Sequence, residues 1–494
     1  MRLLLALWAL CAALAAAAAG GHDARVALGH EVWLGPLAIA GAHLPLVLLS
    51  GLVRRRWIAL LPVALGGFWA ATIRLPEGRG PVAEGPPVVL LTLDTFRADR
   101  VGEATTPSLT AFATRATTFT QAVTLAPLTG PAHATMLTGL PVAEHGLLEN
   151  GRRVQADTVV PRLRDAGLRT GAFLGAHVLD AHTGLDAGFD HYDDRWGVGQ
   201  RLLWIPGLAA LDPPKRGVQR RGDETVERAL RWLADSPGRV FLWVHLYDAH
   251  APYGAPTLWR PDAESLAAAR AADVEERGEP TIFELLERPS PRVQTLQYDA
   301  GVRYADHLAG RLLDALPDDA VVIVVGDHGE SLADHDLWFD HGARLWEEVL
   351  RVPMMVRWPG RWEGGARDDL VGVDAIADLL LQAAGLAPIA DLPARDEVLA
   401  YTTGQRSRGS LVRRPKGPRR GGACARLAGG KLVSHDGEDV VWYDLAADPG
   451  ETSPEGVPPA LDAAAARVRE AVAAPLPETD AALRQRLRAL GYEE

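Results

Sequence analysis

The chain has 494 residues, 48% hydrophobic and 23% charged, which excludes a disordered protein and exceeds what one small core accommodates. A net charge of −12 excludes nucleic acid as the main partner. Cys11 and Cys424 are the only cysteines, and Cys11 lies in an apolar stretch, which excludes a disulfide framework. Read from the N-terminus, residues 3–19 are uninterrupted apolar sequence after Arg2, and residues 32–53 and 57–73 form two more apolar stretches separated by Arg54, Arg55 and Arg56. Each approaches the roughly 20 residues that cross a bilayer. The positive-inside rule puts Arg2 and the arginine cluster in the cytoplasm, so three crossings place everything after Arg74 outside it. A cleaved signal peptide in place of the first crossing gives the same topology. Residues 1–80 are therefore predicted to be a membrane anchor in an inner membrane, with the rest of the chain periplasmic.

Residues 76–87 are rich in Gly and Pro and read as a linker. An apolar run from Val88 to Leu93 then ends at Asp94, and the run at 321–325 ends at Gly326, Asp327 and His328. Runs of this kind read as strands buried on both faces of a parallel sheet. Residues 170–174 and 240–245 are two more. Helical patterns lie between them, at 225–234, with Val226, Leu230 and Leu233 on one face, and at 302–316. The alternation predicts an α/β fold, a mostly parallel sheet flanked by helices, over residues 81–390. Short segments at 398–402, 423–427, 431–434 and 440–443 predict a small antiparallel sheet within a C-terminal subdomain at 391–494, closed by an amphipathic helix at 480–490. Residues 405–420 hold seven basic side chains and no acidic one, a solvated hairpin loop or a contact for an anionic headgroup.

Groups at the carboxyl ends of parallel strands face one crevice. Asp94, Asp327 and His328 can therefore meet there as a metal site, although they are far apart in sequence. Three further segments carry chemistry: Thr129-Gly130-Pro131-Ala132-His133 with Asn150 downstream, His245-Leu246-Tyr247-Asp248-Ala249-His250, and Asp327-His328-Gly329-Glu330 with His341. Asp248, His250 and His341 offer a second, lesser metal cluster.

These motifs resemble the sulfatase family of the alkaline phosphatase superfamily. The resemblance rests on Asp94-x-x-Arg97-x-Asp99, the segment 129–139, Asp327-His328-Gly329-Glu330, Val352-Pro353, and the tail Tyr443-Asp444-Leu445 with Asp448-Pro449-Gly450-Glu451. It implies an alkaline-phosphatase-like sheet with a small C-terminal antiparallel domain, and one divalent cation (Ca, Mg, Mn or Zn) on Asp94, Asp327, His328 and the nucleophile. The family's first signature residue is a Cys or Ser oxidised to formylglycine. Here it is Thr129, whose β-carbon already carries a methyl group, so no aldehyde and no formylglycine is expected. Thr129 instead reads as a cation-activated hydroxyl nucleophile that forms a covalent ester. His133 occupies the position of a family Arg, and His341 that of a Lys that contacts the substrate anion. Asn150 matches a residue that binds a substrate oxygen, and His250 a histidine that protonates the leaving group. Such a threonine ester must be displaced at its central atom, which favours phosphate or phosphonate esters over sulfate. The expected partners are a small-molecule, lipid-linked or glycan-linked anionic ester and the lipid bilayer. The rival expectations are a membrane phosphoglycerol or phosphoethanolamine transferase, a true sulfuric ester hydrolase, and a catalytically dead binding domain.

Overall fold

The computed structural model describes residues 82–194, 219–278, 290–336, 338–389, 395–405, 421–435 and 438–473. The three apolar stretches of the predicted anchor, the basic run at 406–420 and the helix at 480–490 lie outside these residues. Among the described residues no helix is long and apolar enough to cross a membrane.

The large sheet contains β1 (Val88–Leu93), β2 (Thr117–Val123), β3 (Arg169–Leu174), β4 (His191–Asp193), β5 (Val240–Leu246), β6 (Val321–Gly326), β9 (Met354–Arg357) and β10 (Gly365–Gly372). A two-stranded ribbon, β7 (Ser331–Leu332) with β8 (Trp338–Asp340), follows β6. The order across the eight strands is β10-β2-β9-β6-β1-β5-β3-β4, and only β9 runs antiparallel to its neighbours. The four strands expected from apolar runs are β1, β3, β5 and β6, of which β1, β5 and β6 are the three central neighbours. β2, β9 and β10 did not stand out as runs, because β2 alternates polar and apolar residues, β9 is short, and the first half of β10 is exposed.

The uninterrupted apolar runs have a simple cause, since both sheet faces are covered. Alternate residues Val88, Leu90, Ile323 and Trp243 face one core with α1 (Thr129–Thr138), while Val89, Leu91, Val322 and Leu242 face another. That second core is completed by α2 (Gly222–Ala234) and α3 (Pro291–Asp314). α2 buries Val226, Ala229 and Trp232, with Leu230 and Leu233 only partly covered, so its inner face is rotated from the expected one. Trp232 is large enough to pull the helix round toward Gly171, where a Cβ would lie 2.7 Å from the indole.

β11 (Glu397–Thr402), β12 (Gly422–Leu427), β13 (Gly430–His435) and β14 (Val441–Asp444) form the small antiparallel sheet, as expected. α4 (Asp462–Ala473) packs on one face through Ala464, Ala465 and Val468. From the other face Val398, Ala400, Cys424 and Val433 join the first core of the large sheet. Cys424 is buried as a free thiol.

Candidate active site

β1 and β6 lie side by side in register, with Leu93 opposite Gly326, so Asp94 and Asp327 leave the sheet at one level. The ladder continues one residue past each strand, with Asp94 N–H donating to Leu246 at 2.9 Å and Asp327 N–H to Leu93 at 3.1 Å. Both carboxyl groups are buried. Asp327 Oδ1 accepts from the N–H groups of Thr95 at 3.1 Å and His328 at 2.7 Å. Asp94 Oδ1 and Asp327 Oδ2 accept from nothing. His328 donates from Nδ1 to the Gly329 carbonyl at 2.9 Å, which leaves Nε2 bare in the neutral ring. Gly329 is required there, since a Cβ would stand 1.9 Å from the Glu348 carbonyl oxygen.

One ligand atom each from Asp94, Asp327 and His328 lies within 4.8 Å of the others. Burial pushes the Asp94 carboxyl up to about 7, and burial with the Asp94 charge pushes Asp327 well above the usual carboxylate range. Burial also holds His328 well below its ordinary value. Two carboxylates forced together in a dry site, each with an oxygen left over, beside a bare imidazole nitrogen, fit a divalent cation.

Thr129 opens α1. Its Oγ1 donates to Asp94 Oδ2 at 3.2 Å and stands 3.4 Å from His328 Nε2. Few N–H groups are open at this helix start, since Pro131 has none and Ala132 N–H donates to the Leu128 carbonyl at 2.9 Å. Gly130 N–H donates to Asn150 Oδ1 at 2.7 Å, and a Cβ at Gly130 would crowd that oxygen at 2.8 Å. The Asn150 carboxamide oxygen thus tethers the first turn of α1. His133, one turn on, has both ring nitrogens engaged within the protein. Nδ1 donates to the Thr129 carbonyl at 2.8 Å and Nε2 lies 2.9 Å from Thr92 Oγ1.

His250 donates from Nδ1 to the Ala251 carbonyl at 2.5 Å and stacks on Tyr247. Its buried Nε2 has no hydrogen-bond partner, and burial holds its pKa well below normal. The His341 ring centroid is 4.4 Å from that of His328 and 5.0 Å from that of His250. Burial opposes charge on His341, but the Glu330 carboxylate, 3.2 Å from Nδ1, outweighs it and lifts the pKa to about 9. Its Nε2 likewise has no hydrogen-bond partner. The cleft therefore presents a bare His250 nitrogen and an imidazolium N–H side by side.

Asp248 does not join that pair. Its Oδ1 accepts from Gly222 N–H at the start of α2 at 3.1 Å. Among the described residues, three-ligand clusters form at Asp94, Asp327 and His328 and at His335, Glu348 and Glu451, but not at Asp248, His250 and His341. The second metal cluster read from the sequence is not assembled, because Asp248 serves as a helix-end acceptor. Arg97 pairs with Asp99 and Asp334 at 2.7 Å each, and Asp99 is thereby accounted for. Sequence reasoning assigned no role to Thr92, His245 or Glu330. His245 Nε2 stands 3.3 Å from Asp94 Oδ2. The available signal was positional, since His245 interrupts the apolar run of β5 near its carboxyl end, where Asp94 follows β1.

The sulfatase family profile matches residues 86–386. A multifunctional alkaline phosphatase superfamily protein, PehA, of Trinickia caryophylli is 24% identical over 355 residues, covering 56% of this chain and 68% of its own. A choline-sulfatase of Rhizobium meliloti is 25% identical over 305 residues, covering 51% of this chain and 58% of its own. The chain thus spans about three fifths of the length of these relatives. Among solved structures, a phosphonate monoester hydrolase of Agrobacterium radiobacter superposes with a TM-score of 0.56 at 20% identity, covering 82% of this chain and 95% of that one. A structure titled as BT4656 in complex with D-glucosamine-2-N,6-O-disulfate superposes at 0.57 and 17% identity, covering 82% and 98%. These likenesses establish the shared fold. With a profile match over more than half of its length, laid on the strand-end site described above, the chain belongs to the sulfatase family.

Proposed function

We propose that the protein hydrolyses anionic phosphate, phosphonate or sulfate esters through a covalent ester on Thr129. The observation that carries this reading is the Thr129 hydroxyl, 3.2 Å from Asp94 Oδ2 and 3.4 Å from His328 Nε2 at a helix N-terminus. Asp94, Asp327 and His328 would hold a divalent cation, which would supply positive charge to make this hydroxyl acidic and to polarise a substrate oxygen. Thr129 Oγ1 bonds to the central phosphorus or sulfur as the ester oxygen leaves. Its proton passes to Asp94, and the leaving oxygen takes a proton from His250, whose charged form an incoming anion favours. The His341 imidazolium holds the anionic oxygens. Water then displaces Thr129 at the central atom, and Thr129 regains its proton.

The threonine favours phosphorus. A sulfated gem-diol collapses by C–O cleavage, whereas a threonine ester requires a second displacement at the central atom, which phosphorus tolerates well. The relatives named above carry both chemistries in their names. We further propose that residues 1–80 anchor the enzyme in a membrane with its site on the periplasmic face, on the strength of the three apolar stretches and the flanking arginines.

Parallel assays on an aryl phosphodiester, an aryl phosphonate and an aryl sulfate test the proposal. Turnover of the phosphorus esters is expected to exceed that of the sulfate, and Thr129→Ala is expected to lose at least about 10³-fold in kcat. Turnover that survives Thr129→Ala contradicts the mechanism. A sulfate preference would overturn the substrate choice alone. Release of headgroup that rises on adding an acceptor alcohol would favour a transferase.

A further inference from the structure

The small C-terminal sheet reaches the cleft through the end of β11 and the three residues after it. Tyr401 N–H, in β11, donates to the Leu125 carbonyl at 2.9 Å, in the segment that leads from β2 to α1. Thr402 Oγ1 donates to the carbonyl of Gly342, the residue after His341, and accepts from Gly404 N–H at 3.0 Å. Gly342 has a φ of +80°, and a Cβ there would lie 2.5 Å from the Gln405 carbonyl oxygen and 2.7 Å from Leu128 Cδ2. Gly342 is thus wedged between the chain at Gln405 and the residue that precedes Thr129.

Gln405 is buried, and its carboxamide closes a two-bond ring with one residue. Oε1 accepts from Asn150 N–H at 2.9 Å, and Nε2 donates to the Asn150 carbonyl at 3.3 Å. A backbone N–H only donates and a carbonyl only accepts, so the orientation of this amide is fixed. The side chain holds Asn150 as the opposite residue of an antiparallel strand would. Asn150 lies in a loop, outside any helix or strand, and its Oδ1 accepts from Gly130 N–H at 2.7 Å. The bonds therefore run from Gln405 through Asn150 to the residue after Thr129. Every group in this path is neutral. Asp94, Asp327 and His328 follow β1 and β6 and take no part in it.

We propose that Gln405 is a positioning residue that sets the height of the Thr129 hydroxyl over Asp94 by gripping the backbone of Asn150. This role depends on Thr129 being the nucleophile. Without the grip, the Asn150 loop can shift and carry the first turn of α1 with it. A misplacement of about 1 Å at a reacting atom costs on the order of 10²-fold in rate. The groups that bind the cation and the anion stand on other elements, so the loss falls on the chemical step.

Gln405→Met keeps the length of the side chain and removes both hydrogen bonds. In the purified full-length enzyme it is expected to lower kcat on an aryl phosphodiester by about 10²-fold. KM is expected to stay within about twofold of wild type, with bound-cation content unchanged. Asn150→Ala is expected to lose at least as much, and the double variant no more than Asn150→Ala alone, since the two residues act along one path. Losses that multiply would place the action of Gln405 elsewhere and overturn the proposal. Amide hydrogen exchange is expected to find Asn150 and Gly130 N–H protected in the wild type. In Gln405→Met, Gly130 is expected to exchange at least about tenfold faster while β5 is unchanged. The wild-type exchange keeps the test open if Gln405→Met does not fold, because an Asn150 N–H that exchanges like an open amide overturns the grip. Wild-type kcat in Gln405→Met, a loss in KM alone, or loss of cation also overturns it. If Thr129→Ala is dead while Gln405→Met is fully active, only the role of Gln405 fails. If Thr129→Ala is active, the nucleophile reading fails with it.

Discussion

Two carboxyl groups buried side by side cannot both stay charged without a compensating cation. In the cation-free protein, the raised pKa values of Asp94 and Asp327 make ionisation unfavourable to the fold. A carboxyl raised above its unfolded value stabilises the fold at low pH, and that stability is lost as pH rises through the folded value. Cation-free wild type is therefore expected to lose stability as pH climbs from near 4 to about 7, the value for Asp94. Asp327→Asn keeps an oxygen to accept from Thr95 and His328 but removes the charge. In chelator at pH 8 it is expected to melt above the wild type. With divalent cation in excess the order is expected to invert, since a ligand at a hundred times its Kd adds about 2.7 kcal/mol to the wild type. Calorimetric scans with and without chelator check both halves. Much of this site was legible before any fold was known, because Asp94, Asp327 and His328 end apolar runs and strand ends converge. Gln405 was not, because its importance lies in which backbone groups its side chain meets. The Asn150 oxygen is a similar case, since its engagement with Gly130 depends on a close approach that only coordinates reveal.

Elements that are hydrophobic on both faces announce themselves, and those that are not remain hidden. β1, β5 and β6 read as solid apolar runs because helices cover both sides of the sheet centre. β10 at the edge begins with exposed polar residues, so a run of apolar residues could not mark it. α2 shows how packing moves a face that periodicity alone sets only to within one residue. Its Trp232 lies over Gly171 of β3, and a methyl group there would approach the indole to 2.7 Å. Gly171→Ala is expected to cost about 1–3 kcal/mol, as overpacking of a filled core does. Equilibrium urea unfolding measures it, and an unchanged midpoint would mean that α2 shifts freely on the sheet. The helix that bears Thr129 is held more firmly. All ten residues of α1 are buried, which keeps Thr129 at a fixed height above Asp94.

At the scale of the molecule, a net charge of −12 repels an anionic ester, so substrate capture depends on local positive charge in the cleft. The proposed mechanism gives that part to the imidazolium of His341, held by Glu330 at 3.2 Å. The small sheet shares the first core, through Val398, Ala400, Cys424 and Val433, with the strands that end at Asp94 and Asp327. Damage to that sheet is thereby transmitted to the catalytic core. The account as a whole depends on one cation and one hydroxyl acting together. Elemental analysis of the purified enzyme, combined with peptide mass spectrometry after quenching turnover of a slow aryl phosphonate, examines both at once. The account predicts one divalent cation per chain and an added phosphonyl group on Thr129, both absent from Asp94→Asn. A full complement of substrate-derived mass on another residue, or turnover in protein stripped of cation, would contradict it.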